Sequence, residues 1–363
     1  MHAATRSLAL GLGFAALTLA GCASKKDPAL FSDGSAGSGP GDGGASGQQN
    51  PDETQTCPAA SGPCGSFELI PYEGDAAAMR AYGNFLYWRK QLQEGDTGEL
   101  GVILRVHRDG GELEQLGLTT NPRGLAVGEA GMFFTSDEGV GTTPLEGGTM
   151  TMLDTAYGVW WDIAVDATRA YYTDYLDGSG AYAVPVEGGT STKLATLNGC
   201  TEIAEQGDYV YFTDNGATGP DASGNIYRVL KTGGEPEVIY GPSTHRPEDL
   251  TADADALYWH EYPYVMRLLH DTSAPETIWT SVGDEEVRRV IPHSDSIYLL
   301  VYDRYRSPNN HIVRVDRADP TQVIDVVDFQ DITSLVISGG SVFFSAMTTE
   351  YNGIFFADRC GCP

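Results

Sequence analysis

Ala170-Tyr171-Tyr172-Thr173-Asp174 and Val210-Tyr211-Phe212-Thr213-Asp214 are two copies of one pattern set 40 residues apart. Five looser copies complete the set: Leu86-Tyr87-Trp88, Met132-Phe133-Phe134, Leu257-Tyr258-Trp259, Ile297-Tyr298-Leu299 and Val342-Phe343-Phe344. The central aromatics recur every 38 to 47 residues. Eight residues before each stands an aliphatic side chain or Met: Met79, Leu125, Ile163, Ile203, Leu250, Val290 and Leu335. A turn rich in Gly, Asp, Asn or Ser separates the two, as in Gly83-Asn84, Gln206-Gly207-Asp208 and Gly339-Gly340. Strand, tight turn and strand therefore repeat seven times. A period of this length belongs to a unit that cannot bury its apolar faces alone and stacks on its neighbours.

Each unit continues into a third strand, such as Ala183-Val184-Pro185-Val186 or Tyr227-Arg228-Val229-Leu230. A hairpin turn comes next, clearest as Asp109-Gly110-Gly111, Glu187-Gly188-Gly189 and Thr232-Gly233-Gly234, where glycine supplies the positive φ of a tight turn. A fourth short strand, such as 236–240, closes the unit. The chain thus reads as all-β: a β-propeller of seven four-stranded blades. Its last unit stops after Ile354-Phe355-Phe356, and Phe67 to Tyr72 near the start has no hairpin partner. That N-terminal strand is expected to take the vacant outer place and close the ring. Cys57, Cys64, Cys360 and Cys362 fall at the same joint. Two disulfides there suit an oxidising compartment, with the pairing left open.

The Thr-Asp endings at 173–174 and 213–214 resemble the YWTD-type repeats of lipoprotein-receptor propellers. With its Pro-Val-Glu-Gly-Gly turn at 185–189, the repeat is also similar to the TolB-like propellers of secreted bacterial proteins. The resemblance spans Phe67 to the C-terminus. It implies a propeller that binds a protein or a polymer, and it assigns no reaction, because one fold hosts many roles. YWTD-type propellers are generally six-bladed, so six is the alternative count.

Ahead of the repeats, Arg6 precedes an apolar stretch, Ser7 to Leu19, that is too short to span a bilayer. Leu19-Ala20-Gly21-Cys22 resembles the bacterial lipobox. It implies a signal peptide at 1–21, diacylation of Cys22 and, since Ala23 stands next, the outer membrane. More than one acyl chain makes such an anchor stable. Gly, Ser, Asp and Pro dominate Ser32 to Asp52, so 22–56 reads as the lipidated Cys and a disordered tether, leaving 57–363 for the propeller. A formal charge of −28 argues against nucleic acid and against docking on anionic lipid. The expected molecule is a monomeric, membrane-anchored binding module of the cell envelope.

Binding is expected on the face carrying the longer connections, at 90–100, 214–224 and 303–310. Nine residues before each central aromatic stand Ala78, Gly124, Asp162, Glu202, Asp249, Arg289 and Ser334. They are expected to ring the mouth of the central channel, with Trp160, Trp161, Arg123, Arg246, Glu248 and Arg288 beside them. The candidate ligand-binding residues are Trp160, Trp161, Asp162, Glu202, Glu248, Asp249, Arg288 and Arg289, offering carboxylates for a cation and indoles for stacking. The alternative is a hydrolase or lyase using the acidic mouth for proton transfer; no motif marks a catalytic residue, so catalysis is not the expectation. No cofactor is expected, apart from Ca²⁺ at the Asp-rich turns 174–180 and 214–221. His245, Glu248, His260 and Glu261 are a further candidate metal set. Cys200 is left over and reads as a buried thiol.

Overall fold

The second strand of each repeat is apolar on both faces. In Gly131–Ser136 every residue is buried, and in Arg169–Asp174 every residue after Arg169. A strand covered on both sides must lie in a sheet sandwiched between two others. The computed structural model of the chain has this arrangement; it describes residues 65–92, 100–156, 158–176, 180–197, 199–214, 224–303, 309–347 and 352–360. These residues form strands and turns in seven four-stranded antiparallel sheets. No helix among them is long and apolar enough to cross a membrane. Cys22, the segments 1–21 and 22–56, and Cys57, Cys64 and Cys362 lie outside the described residues.

Blade one starts at the strand Ala77–Tyr82. The innermost strands of blades two to seven are Leu125–Gly128, Trp160–Val165, Cys200–Gln206, Glu248–Ala252, Glu285–His293 and Ile332–Ser338. Each packs on its counterpart in the next blade, and the seventh packs on the first, so the sheets form a ring. The chain is a seven-bladed β-propeller. Phe67–Pro71 pairs antiparallel with Asn352–Asp358, Phe67 opposite Phe356 and Ile70 opposite Ile354, and is the outermost strand of blade seven. The two ends of the propeller thus share one sheet, and Cys360 lies directly beyond it.

The repeated side chains are the core. All seven central aromatics are 5% exposed or less, and so are the seven aliphatic or Met partners. The residue after the central aromatic meets a ring on the third strand in three blades: Tyr172 on Tyr182, Phe212 on Tyr227, Phe344 on Phe355, with centroids 5.6–5.7 Å apart. Each of these is a directly opposed cross-strand pair, the contact that favours aromatic partners.

Ion pairs on the short-turn face add a second tie between blades. Lys231, in the last turn of blade four, reaches Asp166 in blade three at 2.9 Å and Glu205 of its own blade at 2.5 Å. Arg317 of blade six similarly meets Asp253 and Asp255 of blade five.

Candidate functional site

On the opposite face, where each innermost strand begins, six of the seven innermost strands slip register against their neighbours. The breaks fall between Ala77 and Arg80, Trp160 and Ile163, Cys200 and Ile203, Glu248 and Thr251, Val287 and Arg289, and Ile332 and Ser334. A bulge bends the strand and re-aims a side chain, here at the positions expected to ring the channel. Ala78 and Asp249 hold left-handed backbone there, with φ of 53° and 52°. Blade two has Gly124 instead. A Cβ on it would lie 2.9 Å from the Cα of Asp162, so blades two and three touch through backbone.

The threonine of the repeat holds these bulges in place. Thr173 Oγ accepts the N–H of Asp162 at 3.2 Å and donates to the carbonyl of Thr201 in blade four at 2.6 Å. Thr135 does the same between blades two and three, accepting from Gly124 at 2.8 Å and donating to the carbonyl of Trp161 at 3.1 Å. Thr213 accepts the N–H of Glu202 at 3.1 Å. The aspartate next in the repeat caps a loop: Asp174 accepts the N–H groups of Val159 and Leu176 at 2.9 and 3.1 Å. The Thr-Asp signature thus joins blades and caps loops.

Five charged side chains from five blades meet inside the ring: Arg80, Asp162, Glu202, Asp249 and Arg289. Asp162 accepts the N–H of Ile203 at 3.2 Å. Asp249 accepts the N–H of Val290 and bonds Arg289. Ser334 accepts the N–H of Met79 at 3.3 Å. In three joints, then, a polar side chain at the same position grips the backbone of the next blade. Arg80 was not among the residues read from the sequence, because it stands two places past the expected ring position and a bulge turns it inward. Burial, with Arg289 close by, lowers its pKa to about 10, so it remains a cation at neutral pH. Burial also raises Asp162, against the pull of Arg80. Among the described residues, Glu202 has no such backbone partner. Burial, reinforced by the carboxylates of Asp162 and Asp249, raises its pKa well above the ordinary value. The expected acidic mouth is therefore offset by two arginines, and burial favours the neutral form of Glu202.

The two adjacent tryptophans part company. Trp160 is 2% exposed, with its ring edge-on to Tyr172 and Tyr182 at 5.2 and 5.6 Å, so no ligand can reach it without unpacking the blade. Trp161 is 40% exposed beside Tyr175, their centroids 5.7 Å apart. Tyr262 and Tyr264 are exposed on the same face, Tyr262 in the turn between the second and third strands of blade five and Tyr264 at the start of the third.

That turn borders a cavity of about 250 Å³ between blades five and six, lined among others by His245, Arg246, Glu248, His260 and Glu286. Glu248 of the expected set is on this wall. Arg288 pairs with Glu286 at 3.3 Å and lies over the ring of Tyr302. The candidate metal set does not assemble. Glu261 turns away to Tyr240 and Ser243 at 2.6 and 2.9 Å, and among the described residues no group of three or more His, Cys, Asp or Glu side chains is placed to hold a metal. In the candidate Ca²⁺ turns, Asp174 caps its own loop, while 177–179 and 215–223 lie outside the described residues. Most of the three long connections lies outside them too. Cys200 is a free, buried thiol whose pKa burial pushes up to about 12, which leaves it unreactive.

No protein-family profile matches the chain, and no characterised protein matches it in sequence. Its likeness is to solved propellers. It is similar to the β-propeller domain of the Trilobed protease from Pyrococcus furiosus, with 10% identity, a TM-score of 0.57, and 78% of this chain and 95% of that one covered. It is similar to the Pyrococcus horikoshii acylaminoacyl peptidase, with 11% identity, a TM-score of 0.58, and 81% and 52% covered. The extracellular domain of the putative hybrid two component system BT4673 from B. thetaiotaomicron is a third, with 13% identity, a TM-score of 0.57, and 78% and 40% covered. At such identities the likeness is one of fold.

Proposed function

We propose that this chain is a lipid-anchored binding module outside the cytoplasm, which presents the long-connection face of its propeller to a protein or polymer ligand. The observation that carries the reading is the distribution of exposed aromatics. Among the described residues, four of the five exposed aromatic side chains, Trp161, Tyr175, Tyr262 and Tyr264, lie on that face; the fifth, Phe67, is on the outermost strand of blade seven. Exposed Trp and Tyr give large contact area at small entropic loss and are enriched where macromolecules meet. The cell-envelope setting rests on the lipobox-like Leu19-Ala20-Gly21-Cys22, and stapling of the ring joint rests on Cys57, Cys64, Cys360 and Cys362. The charge of −28 suits a soluble body held off a membrane by a polar tether.

The test is retention of the intact chain on immobilised envelope proteins and on extracellular polymer, beside a Trp161→Ala/Tyr175→Ala variant. Retention by wild type that the variant loses supports the module. Equal retention of both, or of neither, overturns it. A Cys22→Ala variant found in the membrane fraction would overturn the lipid anchor.

A further inference from the structure

Blades two, three and four carry a threonine two places after the central aromatic; blade five carries His260 there. Blade seven keeps a hydroxyl, Ser345, bonded to Thr333 at 2.7 Å. His260 makes no such clasp. It is 7% exposed, and among the described residues its ring makes no hydrogen bond. Its ring lines the cavity between blades five and six. The imidazole occupies a position where a short hydroxyl ties the neighbouring blades together.

The cavity exists because blade six stands taller. Its first strand has nine residues, against five in blade five. The extra length, Glu285-Glu286-Val287, pairs with Val301–Asp303, and Glu286 and Val287 line the cavity together with His245, Arg246 and Glu248. Tyr262 bridges the opening, its hydroxyl donating to the carbonyl of Gly283 at 3.3 Å.

The lining is chemically mixed. Arg246 and Glu248 are exposed, and neither has an ion-pair partner among the described residues. Two tyrosines supply aromatic surface. A neutral imidazole offers one donor and one acceptor, and burial holds His260 neutral by lowering its pKa, against the pull of Asp249 and Glu248. An anion would meet Glu248 and Glu286, and a cation would meet Arg246. A ligand with many hydroxyls, each both donor and acceptor, and an apolar C–H face satisfies every group. The geometry points to a saccharide-binding site between blades five and six, with His260 as its buried hydrogen-bonding group and Tyr262 and Tyr264 as its stacking surface. This rests on the binding-module reading and names the ligand class.

The experiment is calorimetric titration of the full-length chain with neutral tetrasaccharides of glucose, xylose, galactose and N-acetylglucosamine. Melting curves are recorded in parallel. At least one sugar is expected to bind. His260→Thr should weaken it at least tenfold while raising the melting temperature, because the clasp of the other blades returns. Glu248→Gln, on an exposed side chain, should weaken it with the melting temperature unchanged, and serves if His260→Thr does not fold. Binding of none of the four, or affinity indifferent to both variants, overturns the saccharide site. If Trp161-dependent retention on envelope protein or polymer survives that result, only this inference falls; if retention is absent as well, the binding-module reading falls with it.

Discussion

The carboxylate of Asp162 in blade three accepts the backbone N–H of Ile203 in blade four at 3.2 Å, and Asp249 in blade five holds Val290 of blade six in the same way. Residues that the sequence places in a ligand-binding ring are in these two joints fasteners between sheets. Asp162→Ala leaves the Ile203 N–H without its acceptor and should destabilise by ~1–3 kcal/mol. Asp249→Ala should be worse than Asp249→Asn, since Asn keeps an acceptor and tolerates the left-handed backbone at φ 52°. Urea unfolding of the three variants checks the order.

Glu202 occupies the equivalent ring position in blade four and, among the described residues, grips no backbone. Its pKa is raised in the fold by burial and by Asp162 and Asp249. Linkage sets the sign: below the unfolded value near 4.5 both states are protonated, and as pH rises above it the unfolded chain ionises first, so stability falls. Glu202→Gln, which copies the protonated form, should raise the urea midpoint at pH 7 and leave it unchanged at pH 4. An equal shift at both values would contradict this.

Lys231 is the cation between two carboxylates, one of them Glu205, whose side chain is 2% exposed. Lys231→Met should cost about 3–5 kcal/mol at pH 7, the range found when one partner of a buried pair is removed. Burial acts to raise the pKa of Asp166, but its hydrogen bonds, that from Lys231 foremost, prevail and depress it to about 2. Its contribution is thus present above 3.8 and lost as pH falls toward 2. The gap between wild type and variant should narrow over that window in an acid titration.

Trp160→Ala should cost about 3–5 kcal/mol, as a large-to-small change in a packed blade. Trp161→Ala, one residue on, should stay within ~0.5 kcal/mol while ligand retention falls. Thermal melts beside the retention assay separate the two, and a destabilised Trp161→Ala would place that ring in the core instead.

Much of the fold was legible because propeller blades repeat. Tyr171 and Tyr211 carry the same flanks and face the same kind of neighbour, so one period announces the sheet, its turns and its core together. The vacant place after Ile354-Phe355-Phe356 likewise pointed to Phe67–Pro71, and the two segments pair. The candidate site was less legible. Adjacent in sequence, Trp160 and Trp161 point to opposite faces of a strand, and whether the bulge after Trp160 buries the first or the second cannot be counted from spacing.

The sequence by itself pointed to seven blades, to the strand that closes the ring and to the residues of the core, because those depend on local pattern repeated at a fixed period. Only the tertiary structure decided that Arg80 joins Asp162, Glu202, Asp249 and Arg289 inside the ring, and that His260 opens onto a cavity walled by the taller sixth blade. These are meetings of side chains from different blades. They depend on bulges, strand heights and the angle between sheets, which no single stretch of sequence encodes.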